Sequence, residues 1–172
     1  MGLTLVLGGA RSGKTRFALA QAEAHAAKTG ARRVIIATAE ALDQEMAERI
    51  ARHRAERGES WTTVEAPQAL AHAVGALRAS DVAVIDCLTL WLSNRMLAEA
   101  DVEAEVEALA ATLAACPAEV FLVSNEVGSG IVPENALARR FRDAAGLANQ
   151  RLAAAADAAV AVMAGLPLRL KG

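Results

Sequence analysis

The run Gly8-Gly9-Ala10-Arg11-Ser12-Gly13-Lys14-Thr15 matches the phosphate-loop pattern G-x-x-x-x-G-K-[ST] without interruption. Its flanks constrain the fold as much as the motif does. Leu3-Thr4-Leu5-Val6-Leu7 ahead of it reads as a short buried strand, and Arg16-Phe17-Ala18-Leu19-Ala20-Gln21-Ala22 behind it is helix-forming throughout. Between a strand and a helix, such a turn curls so that successive backbone N–H groups converge on phosphate oxygens. Lys14 adds a point charge for the β- and γ-phosphates, Thr15 a hydroxyl for Mg2+, and the helix N-terminus its dipole. A glycine-rich turn that merely connects strand to helix is the competing reading, but a match at this offset is hard to reach by chance. The expectation is a nucleoside triphosphate held by Gly8, Gly9, Ala10, Arg11, Ser12, Gly13, Lys14 and Thr15.

Short apolar runs alternate with longer alanine-rich segments along the rest of the chain. Strands are expected over Leu3–Leu7, Val34–Ala37, Thr62–Glu65, Val82–Asp86, Val120–Val123 and Ala158–Met163, with a last short one after Pro167. Helices are expected over Lys14–Thr29, Asp43–Arg57, Gln68–Ala79, Thr89–Ala98, Val102–Ala115 and Glu134–Ala155. Alternation of this kind implies crossover connections and a mainly parallel sheet with helices on both faces. The tight link Gly165-Leu166-Pro167 leaves no room for a helix, so an antiparallel edge strand is expected there. With 172 residues and neither repeat nor linker, residues 1–172 read as one α/β domain.

A net charge of −2 provides no global field for nucleic acid or an anionic membrane, so anion recognition has to be local. No secretory signal is visible, and no stretch reaches the roughly 18 apolar residues a membrane span needs. Cys87 and Cys116 show neither metal-ligand spacing nor a disulfide framework. A reducing, cytoplasmic setting is the expectation.

In a parallel sheet the ligand lies beyond the carboxyl ends of the strands. Those ends carry Thr38-Ala39-Glu40, Asp86 with Cys87-Leu88-Thr89, and Ser124-Asn125-Glu126. Asp86 closes an apolar strand expected to neighbour the first, where a carboxylate holds Mg2+ through water. Capping the following helix is the other use for that acid. Glu45–Arg49 and Glu48–Arg52 are favourable i,i+4 pairs, and His53 follows Met46 and Ile50 at helical spacing. Taken alone, His53 is equally a packed or a solvated histidine.

Wider patterns give these residues a context. Asp43…Met46-Ala47-x-Arg49-Ile50-x-x-His53-Arg54-x-x-Arg57 is followed by Trp61-x-Thr63-x-Glu65. Asn125-Glu126-Val127-Gly128-x-Gly130-Ile131-Val132-Pro133-Glu134-Asn135 runs on into Ala138-Arg139-x-Phe141-Arg142-Asp143-x-x-Gly146-x-x-Asn149-Gln150-Arg151-Leu152-Ala153. Together these resemble the bifunctional adenosylcobinamide kinase/adenosylcobinamide-phosphate guanylyltransferases of cobalamin biosynthesis, from Leu3 to about Gly165. The resemblance implies a RecA-like P-loop fold in three layers. It also implies phosphorylation of the aminopropanol hydroxyl of adenosylcobinamide, then transfer of GMP from GTP onto that phosphate through a guanylylated histidine. The matching histidine is His53, with Lys14 as the second catalytic group. Nucleotide contacts are implied for the phosphate loop, for Thr38, Ala39 and Glu40, for Arg54, Ala55, Glu56 and Arg57, and for Glu65 and Asp86. Glutamate is common in relatives at position 86, and the shorter aspartate favours a water-mediated metal contact over a direct one. Mg2+ at Thr15 and Asp86, GTP and ATP as substrates, a corrinoid acceptor and a homo-oligomer, trimeric in some members, complete what it implies.

The chemistry suits the residue types. A neutral imidazole is a nucleophile near pH 7, and cations stabilise the charge that phosphoryl and nucleotidyl transfer spread over oxygen. Glu126 and Asp43 are both candidates to accept the substrate hydroxyl's proton. A kinase of another small molecule without a covalent histidine, or a P-loop ATPase acting on partner proteins, would use the same loop.

Overall fold

Val34-Ile35-Ile36 and Val82-Ala83-Val84-Ile85 are buried without a break, as strands covered on both faces must be. The computed structural model describes residues 2–40, 44 and 60–172. Its elements are β1 (Leu3–Gly8), α1 (Lys14–Thr29), β2 (Arg32–Ala37), β3 (Thr62–Glu65), α2 (Leu70–Gly75), β4 (Asp81–Asp86) and α3 (Leu88–Leu97). There follow α4 (Val102–Ala114), β5 (Glu119–Asn125), α5 (Ala136–Ala155), β6 (Ala158–Met163) and β7 (Leu166–Lys171). The strands form a seven-stranded sheet in the order β3-β2-β4-β5-β1-β6-β7. Every pairing is parallel except that of β6 with β7. This is the expected RecA-like P-loop architecture, with its antiparallel C-terminal edge.

Residues of the five inner strands β2, β4, β5, β1 and β6 feed two cores, one on each face of the sheet. On one face α1 lays Ala18, Ala22 and Ala26 against Val6, Val84 and Val123. Methyl side chains at four-residue spacing let the helix sit close to the sheet, which fixes the loop at its start. The other face is covered by α2 to α5, with Leu70, Trp91, Leu109 and Leu152 packed with Leu5, Ile36 and Leu122. The Trp91 indole N–H is satisfied by the Gln68 carbonyl at 2.9 Å.

Three expectations need correcting. β4 does not neighbour β1, because β5 lies between them. Val120-Phe121-Leu122-Val123, as thoroughly buried as β4, pairs with β1 from Leu3↔Val120 to Gly8↔Asn125. The helix expected over Gln68–Ala79 is the shorter α2. Gln68 gives its carbonyl to Trp91, Gly75 has poor helix propensity, and the Arg78 N–H turns onto the Asp81 carboxylate at 2.9 Å. β7 starts before Pro167 and includes it, which an outer edge strand allows. The helix expected over Asp43–Arg57 lies, apart from Gln44, outside the described residues.

Asp81 ties β2 to the start of β4. Its carboxylate is 1% exposed and takes hydrogen bonds from Arg32 Nε at 2.9 Å and Nη2 at 3.0 Å. Those bonds hold the carboxyl below the usual carboxylate range, against the opposing effect of burial. A folded-state value below the unfolded one of about 3.9 adds stability above that pH, which is lost as pH falls through the folded value. Denaturant midpoints measured from pH 6 to pH 2 should therefore drop more steeply in wild type than in Asp81→Asn, which should be the less stable protein at pH 6. Parallel curves would contradict this role.

Candidate active site

The phosphate loop is built by a change of backbone handedness between β1 and α1. Arg11 and Gly13 take positive φ of 55° and 95°, which turns the chain back before Phe17 N–H closes on Gly13 O at 2.9 Å. Gly8 has a different reason to be glycine. A Cβ there would lie 2.4 Å from Ser12 Oγ and 2.6 Å from the Val162 carbonyl oxygen. The turn between β6 and β7 braces the loop from outside, with Gly165 N–H donating to Ser12 O at 2.9 Å. Gly8→Ala is thus expected to weaken nucleotide binding by about tenfold or more, with a stability loss of about 1–3 kcal/mol from overpacking. Calorimetric titration with a non-hydrolysable triphosphate reads the first effect, and an unchanged Kd would contradict it.

Lys14 is the first helical residue, buried to 9% exposure, and its ammonium donates to Gly9 O at 3.0 Å. The charge therefore sits inside the curl of the loop, with Thr15 next to it in the first turn of α1. Ser12 Oγ is one of two buried side-chain polar atoms without a protein partner among the described residues.

Parallel register brings the other strand ends to the same edge. Ala37 pairs with Glu65 on one side and with Asp86 on the other. Glu65 is exposed, whereas Ala39, Glu40 and Asp86 are half-buried. Glu40 accepts a hydrogen bond from Gln68 at 3.3 Å. Asp86 stands two strands from β1, about 10 Å sideways at normal strand spacing.

Thr38 is fully buried, and every polar atom it has is engaged within the protein. Its hydroxyl donates to Cys87 O at 2.7 Å and accepts from Cys87 N–H at 2.8 Å. Its N–H bonds Asp86 O at 3.2 Å, and its carbonyl accepts from Asn94 at 2.8 Å. Thr38 therefore clamps the ends of β2 and β4 together. From there a polar chain continues through Cys87 Sγ and Thr89 Oγ1, 3.2 Å apart, to Asn125, which donates to Thr89 Oγ1 at 2.6 Å. Burial, reinforced by Asp86, pushes the Cys87 thiol up, so it stays protonated and unreactive near neutral pH.

Asn125 stands level with Gly8, and the next residue, Glu126, donates its N–H to Gly8 O at 3.1 Å. The Glu126 side chain accepts from Gly128 N–H at 2.5 Å and from the Ser129 hydroxyl at 3.2 Å. The structure thus brings Gly8–Thr15, Thr38–Glu40, Glu65, Asp86 and Glu126 to one edge. His53, Arg54, Ala55, Glu56 and Arg57 lie outside the described residues, as does Asp43. Among the described residues no three His, Cys, Asp or Glu side chains gather as a metal cage. Thr15 and Asp86 offer hard oxygen donors, the type Mg2+ selects when phosphates complete its shell.

Sequence reasoning missed the clamp. Thr38, Cys87 and Thr89 were visible as strand-end residues, but hydrogen bonds spanning 49 positions leave no local pattern. The brace at Gly165 left only the glycine as a trace.

A family model described as cobinamide kinase/cobinamide phosphate guanyltransferase matches residues 4–170. The bifunctional adenosylcobalamin biosynthesis protein CobP of Pseudomonas aeruginosa is 45% identical over 171 residues, covering 98% of this chain and 96% of that protein. Proteins named bifunctional adenosylcobalamin biosynthesis protein CobU, from Escherichia coli and Salmonella typhimurium, are 40% and 41% identical and cover 98% of this chain and 99% of their own. Among solved structures, the flagellar accessory protein FlaH of Methanocaldococcus jannaschii superposes with a TM-score of 0.52 at 13% identity. That match covers 99% of this chain and 78% of FlaH, and it speaks to the fold alone.

Proposed function

This chain belongs to the cobinamide kinase/cobinamide phosphate guanyltransferase family, and from that premise we propose how one phosphate loop serves both transfers. The protein is a bifunctional transferase of cobalamin biosynthesis. It phosphorylates the aminopropanol hydroxyl of adenosylcobinamide from a nucleoside triphosphate, then transfers GMP from GTP to the new phosphate and releases pyrophosphate. The observation that carries the reading is a complete phosphate loop, with Lys14 buried inside its curl, in a chain matched to the family from residue 4 to 170.

In the kinase step, Lys14 and the N–H groups of the loop hold the β- and γ-phosphates while the substrate hydroxyl attacks the γ-phosphorus in line. Thr15 and Asp86 are the residues that would hold Mg2+, an ion that would supply positive charge to the phosphates. Asp86, two strands from β1, would take the more distant of these two roles. Glu126, adjacent to Gly8, is the candidate to take the hydroxyl proton among the described residues.

In the guanylyl step, a neutral His53 nitrogen forms a bond to the α-phosphorus of GTP as the bond to pyrophosphate breaks. An oxygen of adenosylcobinamide phosphate then attacks the same phosphorus and restores the imidazole. Arg54 and Arg57 supply cationic charge to the triphosphate. Thr38, Ala39, Glu40, Ala55, Glu56 and Glu65 border the nucleotide, Thr38 as the clamp beneath it. Residues 1–172 act as one domain, a reading supported by the single seven-stranded sheet that takes in β1 to β7. Assembly of copies is part of the reading, supported by the exposed Leu166, Leu168 and Leu170 on edge strand β7, and sedimentation of the purified protein reads it.

The test is direct. Purified protein given adenosylcobinamide, ATP and GTP should form first the phosphate and then the GDP conjugate, and EDTA should stop both. Absence of any phosphorylated corrinoid would overturn the reading.

A further inference from the structure

The stretch between β5 and α5 is anchored at both ends, yet it turns apolar side chains to solvent. At its start Glu126 N–H holds Gly8 O at 3.1 Å, and the Glu126 carboxylate gathers Gly128 and Ser129. At its end Arg139 Nη1 donates to Pro133 O at 2.9 Å and Glu134 O at 2.5 Å, while Asn135 caps α5 by accepting from Ala138 N–H at 3.1 Å. Between these anchors Ile131 is 96% exposed and Val132 58%, flanked by Val127 at 37% and Leu137 at 48%. Four of the eleven large apolar side chains exposed among the described residues thus fall in positions 127–137, in the stretch that leaves the sheet edge where Glu126 bonds Gly8. A surface concentrated in this way marks a binding site more often than a scattered set does.

We propose that Val127, Ile131, Val132 and Leu137 seat the corrin macrocycle of the acceptor; this rests on the family reading above. The reacting hydroxyl must reach the γ-phosphorus at the phosphate loop, so the ring that carries it lies beyond the carboxyl edge of the sheet, one flexible arm away. A corrin ring is a broad disc whose periphery carries methyl groups together with uncharged acetamide and propionamide arms. It needs an apolar platform more than a charged one. β5 is the strand whose end stands level with Gly8, so the stretch that follows it is placed to offer that platform. The other exposed apolar row, Leu166, Leu168 and Leu170, runs antiparallel along the outer edge, so that Leu168 and Leu170 recede from the loop.

The test is steady-state kinetics on the full chain carrying Ile131→Ser and Val132→Ser together, with Leu147→Ser, an exposed apolar position further along α5, as the comparison. Both sites are solvent-exposed, so thermal midpoints should match wild type. The double variant should raise KM for adenosylcobinamide in the kinase step by about tenfold or more, as loss of apolar substrate contacts does. KM for the nucleotide and kcat at saturating corrinoid should stay within about twofold, and Ile131→Leu should behave as wild type. Leu147→Ser should leave the corrinoid KM unchanged. An unchanged corrinoid KM in the double variant overturns the proposal. So does an altered assembly state by light scattering, which makes the surface a contact between copies. Wild-type protein unable to phosphorylate the corrinoid overturns the family reading instead, before the variant is compared.

Discussion

His53→Ala should eliminate guanylyl transfer, a fall of at least about a thousandfold, while phosphorylation of adenosylcobinamide stays within about tenfold of wild type. The asymmetry follows from the chemistry. GMP transfer through a phosphoramidate needs a nitrogen nucleophile, and alanine has none to offer. Phosphoryl transfer to a hydroxyl needs the loop and an in-line acceptor, neither of which is an imidazole. Reaction mixtures containing the variant should therefore accumulate adenosylcobinamide phosphate and stop there. Comparable amounts of the GDP conjugate from variant and wild type would mean that GMP passes directly between the two substrates.

Lys14→Met should depress both activities together, each by about a hundred- to thousandfold, the scale seen when one preorganised donor to a developing charge is removed. Methionine keeps the length and apolar body of the side chain, so the space around position 14 stays filled. What it lacks is the ammonium, 3.0 Å from Gly9 O and enclosed by the loop. Thermal midpoints should consequently change little, which separates a chemical effect from a structural one. A variant that lost phosphorylation but kept guanylyl transfer would show that the two triphosphates use different sites, contrary to the single-loop account.

The parts of this molecule legible in its sequence are those written in local patterns. The strand–loop–helix context of Gly8–Thr15 returns in the structure with α1 at its expected bounds, because propensity and burial agree there. β3 and β6 keep their expected bounds as well. Strand order was not legible: β4 and β5 are equally apolar, and only long-range packing decides which of them lies beside β1. Helix α2 was over-extended because the competing bonds come from Trp91 and Asp81, residues distant in sequence or across a turn. At the site, motif residues could be named from spacing. The Thr38–Cys87–Thr89–Asn125 chain and the Gly165 brace exist only once the sheet has brought separate strand ends together.

The covalent route is the claim on which the two-step account turns, and intact-mass measurement after brief exposure to GTP tests it most directly. Wild-type protein should gain the mass of one GMP, lose it on addition of adenosylcobinamide phosphate, and gain nothing once His53 is alanine. An unmodified wild-type mass under conditions that yield the GDP conjugate, or an adduct that survives in His53→Ala, would contradict it.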